Sequence, residues 1–288
     1  MEPVETTAAR IRSLEIQGAN AIAKAALEAL AAQLAAEPGA DRRALAELLA
    51  GARPNEPMLR NLLELFLSGA DGEDVMGNPA ERAGALLEQV RRDEENLARV
   101  GADLVSDGMT VFTHCHSSSA VSVLKEARRQ GKRFTVLNTE TRPRFQGRIT
   151  AAELAREGIE VRHMVDAAAK YALDGADLFL FGADAVLPSG YLINKVGTGI
   201  FCVVASRYDV PTYCATLTLK VVRDHIDEAV EQRDPAEVWP DAPAGVLVLN
   251  PAFDKVHLKY VTAFITERGL VKDILALCPP APPARGCS

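Results

Sequence analysis

The chain has 288 residues, of which 48% are hydrophobic and 25% are charged, and it carries a net charge of −7 with a pI near 5.4. This length and hydrophobic content are enough for one large domain or two smaller ones with a real core. The acidic balance argues against a general nucleic-acid binder, which usually presents a basic face.

The sequence also argues against insertion in a membrane and against a metal site. Apolar stretches are interrupted by charge or glycine well before 18 residues, and Met1–Glu5 lacks the basic-then-apolar pattern of a signal peptide. We therefore expect a cytoplasmic protein that is not a membrane protein. The five cysteines form no C-x-x-C pair, so neither a disulfide framework nor a structural metal is indicated. We expect no metal and no cofactor.

The first part of the chain has a helical pattern. Residues Thr6–Ala50 are rich in Ala, Leu, Glu and Arg at helical spacing, and Arg53–Pro57 interrupts the pattern before it resumes over Met58–Ser68 and Pro79–Ser106. Gly18 stands in a strong helix pattern, where it costs about 1 kcal/mol relative to alanine. A close ligand or helix contact would explain its presence.

After Asp107 the pattern changes to short β-branched runs that alternate with helices. Strands are predicted over Thr110–Thr113, Arg133–Asn138, Glu160–Met164, Leu178–Gly182, Val210–Ala215 and Gly245–Leu249. This alternation predicts a parallel sheet with covering helices. We predict an α/β protein with a helical domain over 1–106, a parallel-sheet domain over 107–276, and a disordered proline-rich tail over 277–288.

Cys115 lies where the first predicted strand gives way to a helix that opens with Ser117, Ser118 and Ser119. The first N–H groups of a helix lack internal partners and carry partial positive charge, so they favour a bound phosphate and a lowered thiol pKa. The alternative is an inert core cysteine. His114 and His116 flank Cys115, but alternate residues of an extended segment point to opposite sides and would not chelate a metal together.

Asp184 follows the predicted strand Leu178–Gly182 in the same way. Ligands of open parallel sheets bind beyond the carboxyl ends of the strands, so Asp184 and Cys115 can reach one crevice. The alternative is a turn-forming or helix-capping aspartate.

Three further segments offer polar groups to this crevice. Arg142 and Arg144 follow the strand ending at Asn138 and suit a phosphate, or form surface salt bridges. Asn194 and Lys195 add an amide and a cation. The Gly-Thr-Gly turn at 197–199 would let backbone approach a ligand before the helix Ile200–Ser206. Lys220 follows another strand-like run, and a surface lysine is its plainer interpretation.

Taken together, the motifs resemble one family. They occur in its order, as Gln17–Asn20, Thr113–Ser119, Glu140–Arg148, Phe181–Asp184, Asn194–Thr198 and Asn250–Asp254. The family joins archaeal-type ribose-1,5-bisphosphate isomerase, methylthioribose-1-phosphate isomerase, and the alpha, beta and delta subunits of eukaryotic translation initiation factor 2B. The match extends from about Ile11 to Val271. It implies a helical N-terminal domain and a Rossmann-like C-terminal domain that hold a sugar phosphate between them.

The resemblance also implies residue roles. In the isomerases, the residue matching Cys115 abstracts a proton and the residue matching Asp184 donates one. The positions that match substrate contacts are Gln17, Gly18, Ala19, Asn20, Arg53, Ser117, Ser118, Ser119, Asn194, Lys195 and Lys220. The initiation-factor subunits commonly lack this Cys and Asp pair, so an isomerase is favoured.

The required chemistry suits these residue types. An aldose 1-phosphate needs an acid to open the ring and a base to take the C2 proton. We therefore predict conversion of ribose 1,5-bisphosphate to ribulose 1,5-bisphosphate. Gln17 departs from the arginine typical of the isomerases. Isomerisation of methylthioribose or deoxyribose 1-phosphate, and a non-enzymatic regulatory subunit, remain as alternatives. AMP as an activator and a homo-oligomer, a dimer or a hexamer, are further expectations from the resemblance.

Overall fold

A computed structural model describes residues 3–68, 77–223 and 231–277. The described chain divides into two compact units. The first contains residues 3–68, 77–93 and 219–223, and the second contains 94–218 and 231–277. The predicted tail beyond Leu277 lies outside the described residues. Within the described ranges, no helix is long and apolar enough to cross a membrane.

The first unit is helical. Its helices are α1 (Val4–Arg12), α2 (Ala19–Ala36), α3 (Arg42–Ala50), α4 (Pro57–Leu67) and the first half of α5 (Pro79–Ala102). Their apolar faces bury large side chains, among them Leu30, Leu49 and Phe66. Asp41 caps α3 by accepting hydrogen bonds from the N–H groups of Arg43 and Ala44, which satisfies two donors that the helix cannot satisfy internally.

Gly18 does not lie inside a helix, contrary to the sequence pattern. It precedes α2 as its N-cap and has φ +87°, a conformation that costs glycine little and other residues much. The glycine therefore separates α1 from α2.

The second unit contains a seven-stranded sheet. In chain order its elements are β1 (Thr110–Thr113), α6 (Ser118–Arg129), β2 (Thr135–Thr139), α7 (Gln146–Arg156), β3 (Glu160–Met164), α8 (Ala169–Leu173), β4 (Leu178–Gly182), β5 (Ala185–Leu187), β6 (Tyr191–Lys195), α9 (Thr198–Arg207), β7 (Thr212–Ala215), β8 (Phe253–His257), β9 (Ala263–Thr266) and β10 (Gly269–Val271). The strand order in the large sheet is β10-β9-β7-β4-β1-β2-β3, and every pair is parallel except β9 with β10. A small antiparallel sheet has the order β5-β6-β8.

This strand order is that of a doubly wound, Rossmann-like sheet. From β1 the chain moves outward through β2 to β3, then returns to the other side of β1 as β4 and continues through β7 to β9. The direction of winding therefore reverses between β1 and β4, where ligands of such sheets bind. The predicted fold class, a helical region followed by a parallel α/β sheet, is confirmed.

One predicted strand is wrong. Gly245–Leu249 is not a strand, and most of its apolar side chains are exposed, with Leu247 84% and Leu249 69% accessible. A short apolar run predicts a strand because strands usually bury an apolar face. This run does not pack against the rest of the protein in that way. The chain enters a sheet only at β8, and the large sheet is completed by β9 and β10. The domain boundary after residue 106 stays a prediction, and it falls beyond the end of α5.

Candidate active site

The candidate site lies at the carboxyl ends of β1 and β4, which are neighbours in the sheet. The register pairs Val111 with Leu178 and Phe112 with Phe179. Cys115 comes two residues after β1 ends and Asp184 two residues after β4 ends. The two predicted reacting residues therefore follow the two strands between which the sheet reverses its winding, and both lie at the same edge.

The charges of Asp184 and Lys195 act directly on the Cys115 thiol. Lys195 lowers the pKa of Cys115 and Asp184 raises it, while Cys115 and Asp184 both raise the pKa of Lys195. The structure thus brings these three predicted site residues into one electrostatic cluster. Cys115 and Lys195 are buried, and Asp184 is half-buried.

The expectation of a lowered thiol pKa is wrong. Burial is the largest cause and raises the pKa of Cys115 to about 12, and the negative charges of Asp184 and Asp166 add to the increase. A hydrogen bond with the backbone of His116 and the charge of Lys195 act in the opposite direction but are smaller effects. Loss of hydration dominates because burial disfavours the charged thiolate relative to the neutral thiol.

The backbone of Cys115 has an unusual conformation, with φ +67°. Its N–H donates to Oγ1 of Thr141 at 3.0 Å, and its carbonyl oxygen accepts from Oγ1 of Thr150 at 2.8 Å. Thr141 follows β2 and Thr150 lies on α7. Side chains from two other elements therefore hold the turn that carries the thiol.

Ser117 is the N-cap of α6, and its hydroxyl accepts from the N–H of Ala120 at 3.4 Å. Gly182, the last residue of β4, lies directly against it. A Cβ atom at Gly182 would be 2.0 Å from Oγ of Ser117, so only glycine permits this approach. Ser118 is exposed and Ser119 is buried. Phosphate binding by the three serines stays a prediction.

Asn194 and Lys195 end β6, and both are buried. The Asn194 amide donates to Oγ1 of Thr198 at 2.9 Å, and that hydroxyl donates to the carbonyl oxygen of Lys195 at 2.6 Å. Desolvation is the largest cause of a lowered pKa at Lys195. A buried ammonium in a site of this kind gains strongly from an anionic neighbour.

The Gly-Thr-Gly turn before α9 does not offer its N–H groups to a ligand, contrary to expectation. Oδ2 of Asp254 accepts from the N–H of Gly197 at 2.9 Å and from that of Gly199 at 2.7 Å. The carboxylate of the N-P-A-F-D motif therefore fills the anion position at this helix N-terminus. The turn is a structural link between α9 and β8.

His114 connects the end of β2 with the segment that carries Lys195. Its Nδ1 pairs with Oγ1 of Thr139 at 2.9 Å and its Nε2 with the carbonyl oxygen of Val196 at 3.0 Å. A carbonyl only accepts, so Nε2 carries the proton and Nδ1 accepts from the hydroxyl. Burial lowers the pKa of His114 to about 4, with the Val196 hydrogen bond and the charge of Asp166 opposing it.

The two predicted phosphate-binding arginines have protein partners. The Arg142 guanidinium donates to the carbonyl oxygen of Val238 at 2.9 Å, and Arg144 pairs with Glu237 at 3.2 Å. Asn250 donates to Glu237 at 3.1 Å and so holds the same segment. Binding of phosphate by Arg144 would compete with Glu237, and the role of both arginines stays a prediction.

The remaining predicted substrate contacts lie in the first unit. Gln17 is exposed, and its amide donates to the carbonyl oxygen of Leu14 at 2.5 Å. Gly18 caps α2, and Ala19 and Asn20 begin it. Arg53 is half-buried and follows α3.

Lys220, also in the first unit, is buried. The amide of Asn61 donates to the carbonyl oxygens on both sides of it, Leu219 at 2.7 Å and Val221 at 3.0 Å. Asn61 therefore fixes the backbone that carries Lys220. The roles of these first-unit residues toward a ligand stay predictions.

Sequence reasoning missed several residues that the structure places near Cys115 and Lys195. Asp166 accepts the backbone N–H groups of Thr141 and Arg142 at 2.8 and 2.7 Å, and its charge raises the pKa of Cys115. Asp166 comes two residues after β3, as Asp184 does after β4, so the same strand-end argument could have found it. The charge of Arg233 lowers the pKa of Lys195. Both cations lie near the Phe253 ring, Arg233 at 5.8 Å and Lys195 at 5.9 Å from its centroid.

Gln146 is another residue that the sequence did not indicate as part of the site. Its Oε1 is buried and has no hydrogen-bond partner, although a buried amide oxygen normally has one. It begins α7, directly after the loop with Arg142 and Arg144. No group of three or more His, Cys, Asp or Glu side chains in the described ranges is arranged to hold a metal ion.

Comparisons with known proteins identify the family of the chain. Residues 15–273 match the model of the Initiation factor 2 subunit family. The chain belongs to this family. The resemblance drawn from the motifs is therefore confirmed.

Relatives within the family include enzymes by name. A ribose 1,5-bisphosphate isomerase of Methanocaldococcus jannaschii is 36% identical, with 94% of this chain and 92% of the relative covered. A methylthioribose-1-phosphate isomerase of Desulforudis audaxviator is 37% identical, with coverage of 91% and 84%. A solved structure described as the Pyrococcus horikoshii translation initiation factor eIF-2B has a TM-score of 0.81 and 27% identity, and covers 96% of this chain and 98% of its own.

Proposed function

We propose that this protein is a sugar-phosphate isomerase that converts ribose 1,5-bisphosphate to ribulose 1,5-bisphosphate. The observation that carries the proposal is the placement of Cys115 and Asp184 beyond neighbouring strands at the winding reversal, with Lys195 in the same electrostatic cluster. Full-length similarity to relatives named for this activity supports the same substrate.

The two residues divide the acid and base work. Asp184 donates a proton to the ring oxygen, the bond from that oxygen to C1 breaks, and the oxygen becomes the 4-hydroxyl. The Cys115 thiolate removes the proton from C2, which leaves an enol between C1 and C2 with the phosphate still on C1. The thiol then returns a proton to C1 while the 2-hydroxyl gives its proton back to Asp184. The products are a 2-ketone and the original forms of both residues.

This sequence of steps begins from a thiolate and a carboxylic acid, whereas burial favours a protonated thiol. Moving one proton from Cys115 to Asp184 produces the reactive pair without changing the net charge of the site. The ammonium of Lys195 stabilises the thiolate and any enolate that develops.

We propose that further residues bind the substrate. In the second unit these are Ser117, Ser118, Ser119, Arg142, Arg144, Asn194 and Lys195. In the first unit they are Gln17, Gly18, Ala19, Asn20, Arg53 and Lys220. The buried amide oxygen of Gln146 is a further acceptor for a sugar hydroxyl, since it has no hydrogen-bond partner.

A second candidate is the isomerisation of an aldose 1-phosphate that lacks the 5-phosphate. Two observations favour it: the neutral Gln17 in place of the arginine expected at that position, and the similarity to a methylthioribose-1-phosphate isomerase. A regulatory role without catalysis is the third candidate, and the fold alone is compatible with it.

The test is turnover followed by NMR, with ribose 1,5-bisphosphate, ribose 1-phosphate and methylthioribose 1-phosphate supplied separately, each with and without AMP. We expect ribulose 1,5-bisphosphate as the preferred product and at least about tenfold lower kcat/KM for the sugars without the 5-phosphate. Equal turnover of all three sugars would favour the second candidate. No turnover of any sugar by folded protein would favour the regulatory role.

Activation by AMP and assembly into a homo-oligomer belong to the same proposal. Light scattering on the purified protein gives the oligomeric state, and a dimer or a hexamer is expected. An increase in kcat/KM on addition of AMP would establish the activator.

A further inference from the structure

The backbone of Cys115 depends on side chains from outside its own strand. Its φ of +67° lies in the left-handed region, which residues with a Cβ rarely occupy. β1 ends at Thr113, so the strand pairing does not extend to the N–H and C=O of Cys115. Cys115 is buried, and buried backbone groups need hydrogen-bond partners.

Two threonine hydroxyls supply those partners. Thr141 accepts the N–H at 3.0 Å, and Thr150 donates to the carbonyl oxygen at 2.8 Å. They are only 0% and 1% exposed, so water does not substitute for either. The two hydrogen bonds restrain the backbone of Cys115 on its N–H and its C=O side, and they oppose relaxation of φ to an ordinary negative value.

Each threonine is itself held in place. The Thr150 hydroxyl gives its proton to Cys115 and so accepts from Nδ1 of His116 at 3.1 Å. The backbone N–H of Thr141 donates to Asp166 at 2.8 Å. Cys115 is therefore restrained by two sets of contacts, one through Thr150 on α7 and one through Thr141 and the segment after β3.

We infer that Thr150 and Thr141 are positioning residues that aim the Cys115 thiol at the C2 proton of the substrate. The inference rests on the proposed isomerase function, which it deepens. Without the hydroxyl of Thr150, the carbonyl of Cys115 loses its partner, and relaxation of φ turns the Cα–Cβ bond. A displacement of about 1 Å at a reacting atom lowers a rate by about a hundredfold, whereas substrate binding uses other side chains.

The first experiment compares Thr150→Val with Thr150→Ser. Valine keeps the shape and removes the hydroxyl, and serine keeps the hydroxyl. Thr150→Val is expected to lower kcat by about 10- to 100-fold with KM changed less than about threefold, and Thr150→Ser is expected to retain kcat within about threefold. Thr212→Val is the matched control, because Thr212 is equally buried and donates to the backbone carbonyl of Val210 at 3.3 Å. It should leave kcat within about twofold.

A second readout does not depend on turnover. Alkylation of Cys115 by iodoacetamide is measured by peptide mass spectrometry at pH 8 without substrate. A freed thiol should react at least about tenfold faster in Thr150→Val than in wild type, and Thr212→Val should match wild type. If wild type turns over no sugar, the proposed function fails but the alkylation rates still test the positioning role.

The inference is overturned if Thr150→Val has wild-type kcat, or if it alkylates no faster than Thr212→Val. If Thr150→Val does not fold, Thr141→Val tests the hydrogen bond to the Cys115 N–H with the same two readouts. Loss of kcat there with faster alkylation supports the inference. Wild-type values of both overturn it.

Discussion

Replacing Gly182 with alanine tests how closely the end of β4 meets the start of α6. The new Cβ would lie 2.0 Å from Oγ and 2.7 Å from Cβ of Ser117, whereas ordinary contact starts at 3.4 Å. Ser117 would have to retreat by more than an ångström. Its hydroxyl would then lose the hydrogen bond from the N–H of Ala120, and loss of this helix cap costs about 1 kcal/mol. Overpacking adds about 1 to 3 kcal/mol.

The expected loss in free energy of unfolding for Gly182→Ala is therefore about 2 to 4 kcal/mol, measured by urea denaturation. Since Ser117 is two residues from Cys115, kcat should also fall. Gly175→Ala is the matched control, because a Cβ there meets nothing within 4 Å, and it should change stability by less than about 0.5 kcal/mol.

A double-mutant cycle makes the reasoning refutable. Ser117→Gly removes both clashing atoms and costs only a few tenths of a kcal/mol as a cap. Combined with Gly182→Ala it should recover at least about half of the lost stability. If Gly182→Ala costs no more than Gly175→Ala, or if Ser117→Gly recovers nothing, the close approach does not determine the fold here.

Three further predictions follow from the site. Since the pKa of His114 is lowered from 6.5 to about 4, stability should fall on the order of 3 kcal/mol as pH drops from 6.5 to 4, measured by urea titrations. Asn61→Leu removes the amide that donates to the carbonyl oxygens of Leu219 and Val221 on either side of Lys220, so it should cost about 2 to 4 kcal/mol and raise KM, measured by denaturation and kinetics. The alkylation rate of Cys115 should still rise above pH 10 in ligand-free protein, and Lys195→Met should shift that rise to higher pH.

Each of these predictions has a contrary outcome. Between pH 6.5 and 4 the histidine binds a proton in the unfolded chain but not in the folded protein. His114→Gln should therefore flatten the pH dependence of stability. An unchanged slope would show that other groups cause that dependence. Unchanged stability in Asn61→Leu would show that the backbone around Lys220 is held by other contacts. An alkylation midpoint near pH 8 would mean that burial does not dominate the pKa of the Cys115 thiol.

The strand-end argument predicted from sequence alone that Cys115 and Asp184 lie at one end of the sheet. Cys115 and Asp184 each follow a buried strand, and the order of the strands in the sheet then makes them neighbours. The same argument applied to β3 would have added Asp166. Periodicity and turn residues are local signals, so they locate strand ends well.

Other features depend on contacts that no local pattern contains. Thr150 reaches Cys115 across 35 residues, and Asp254 reaches Gly197 across 57, so neither partner was predictable. The raised thiol pKa follows from burial, which the helix-terminus argument ignored. Gly245–Leu249 failed as a strand because most of its apolar residues are exposed rather than packed.

The most direct test of the account is turnover of ribose 1,5-bisphosphate, followed by NMR, in wild type, Cys115→Ser, Asp184→Asn and the control Cys202→Ser, which changes a buried cysteine on α9. The account predicts ribulose 1,5-bisphosphate from wild type and the control, and a loss of at least about a thousandfold in each of the other two variants, because each lacks its half of the proton transfer. Turnover that survives in either Cys115→Ser or Asp184→Asn would contradict the assigned acid and base pair.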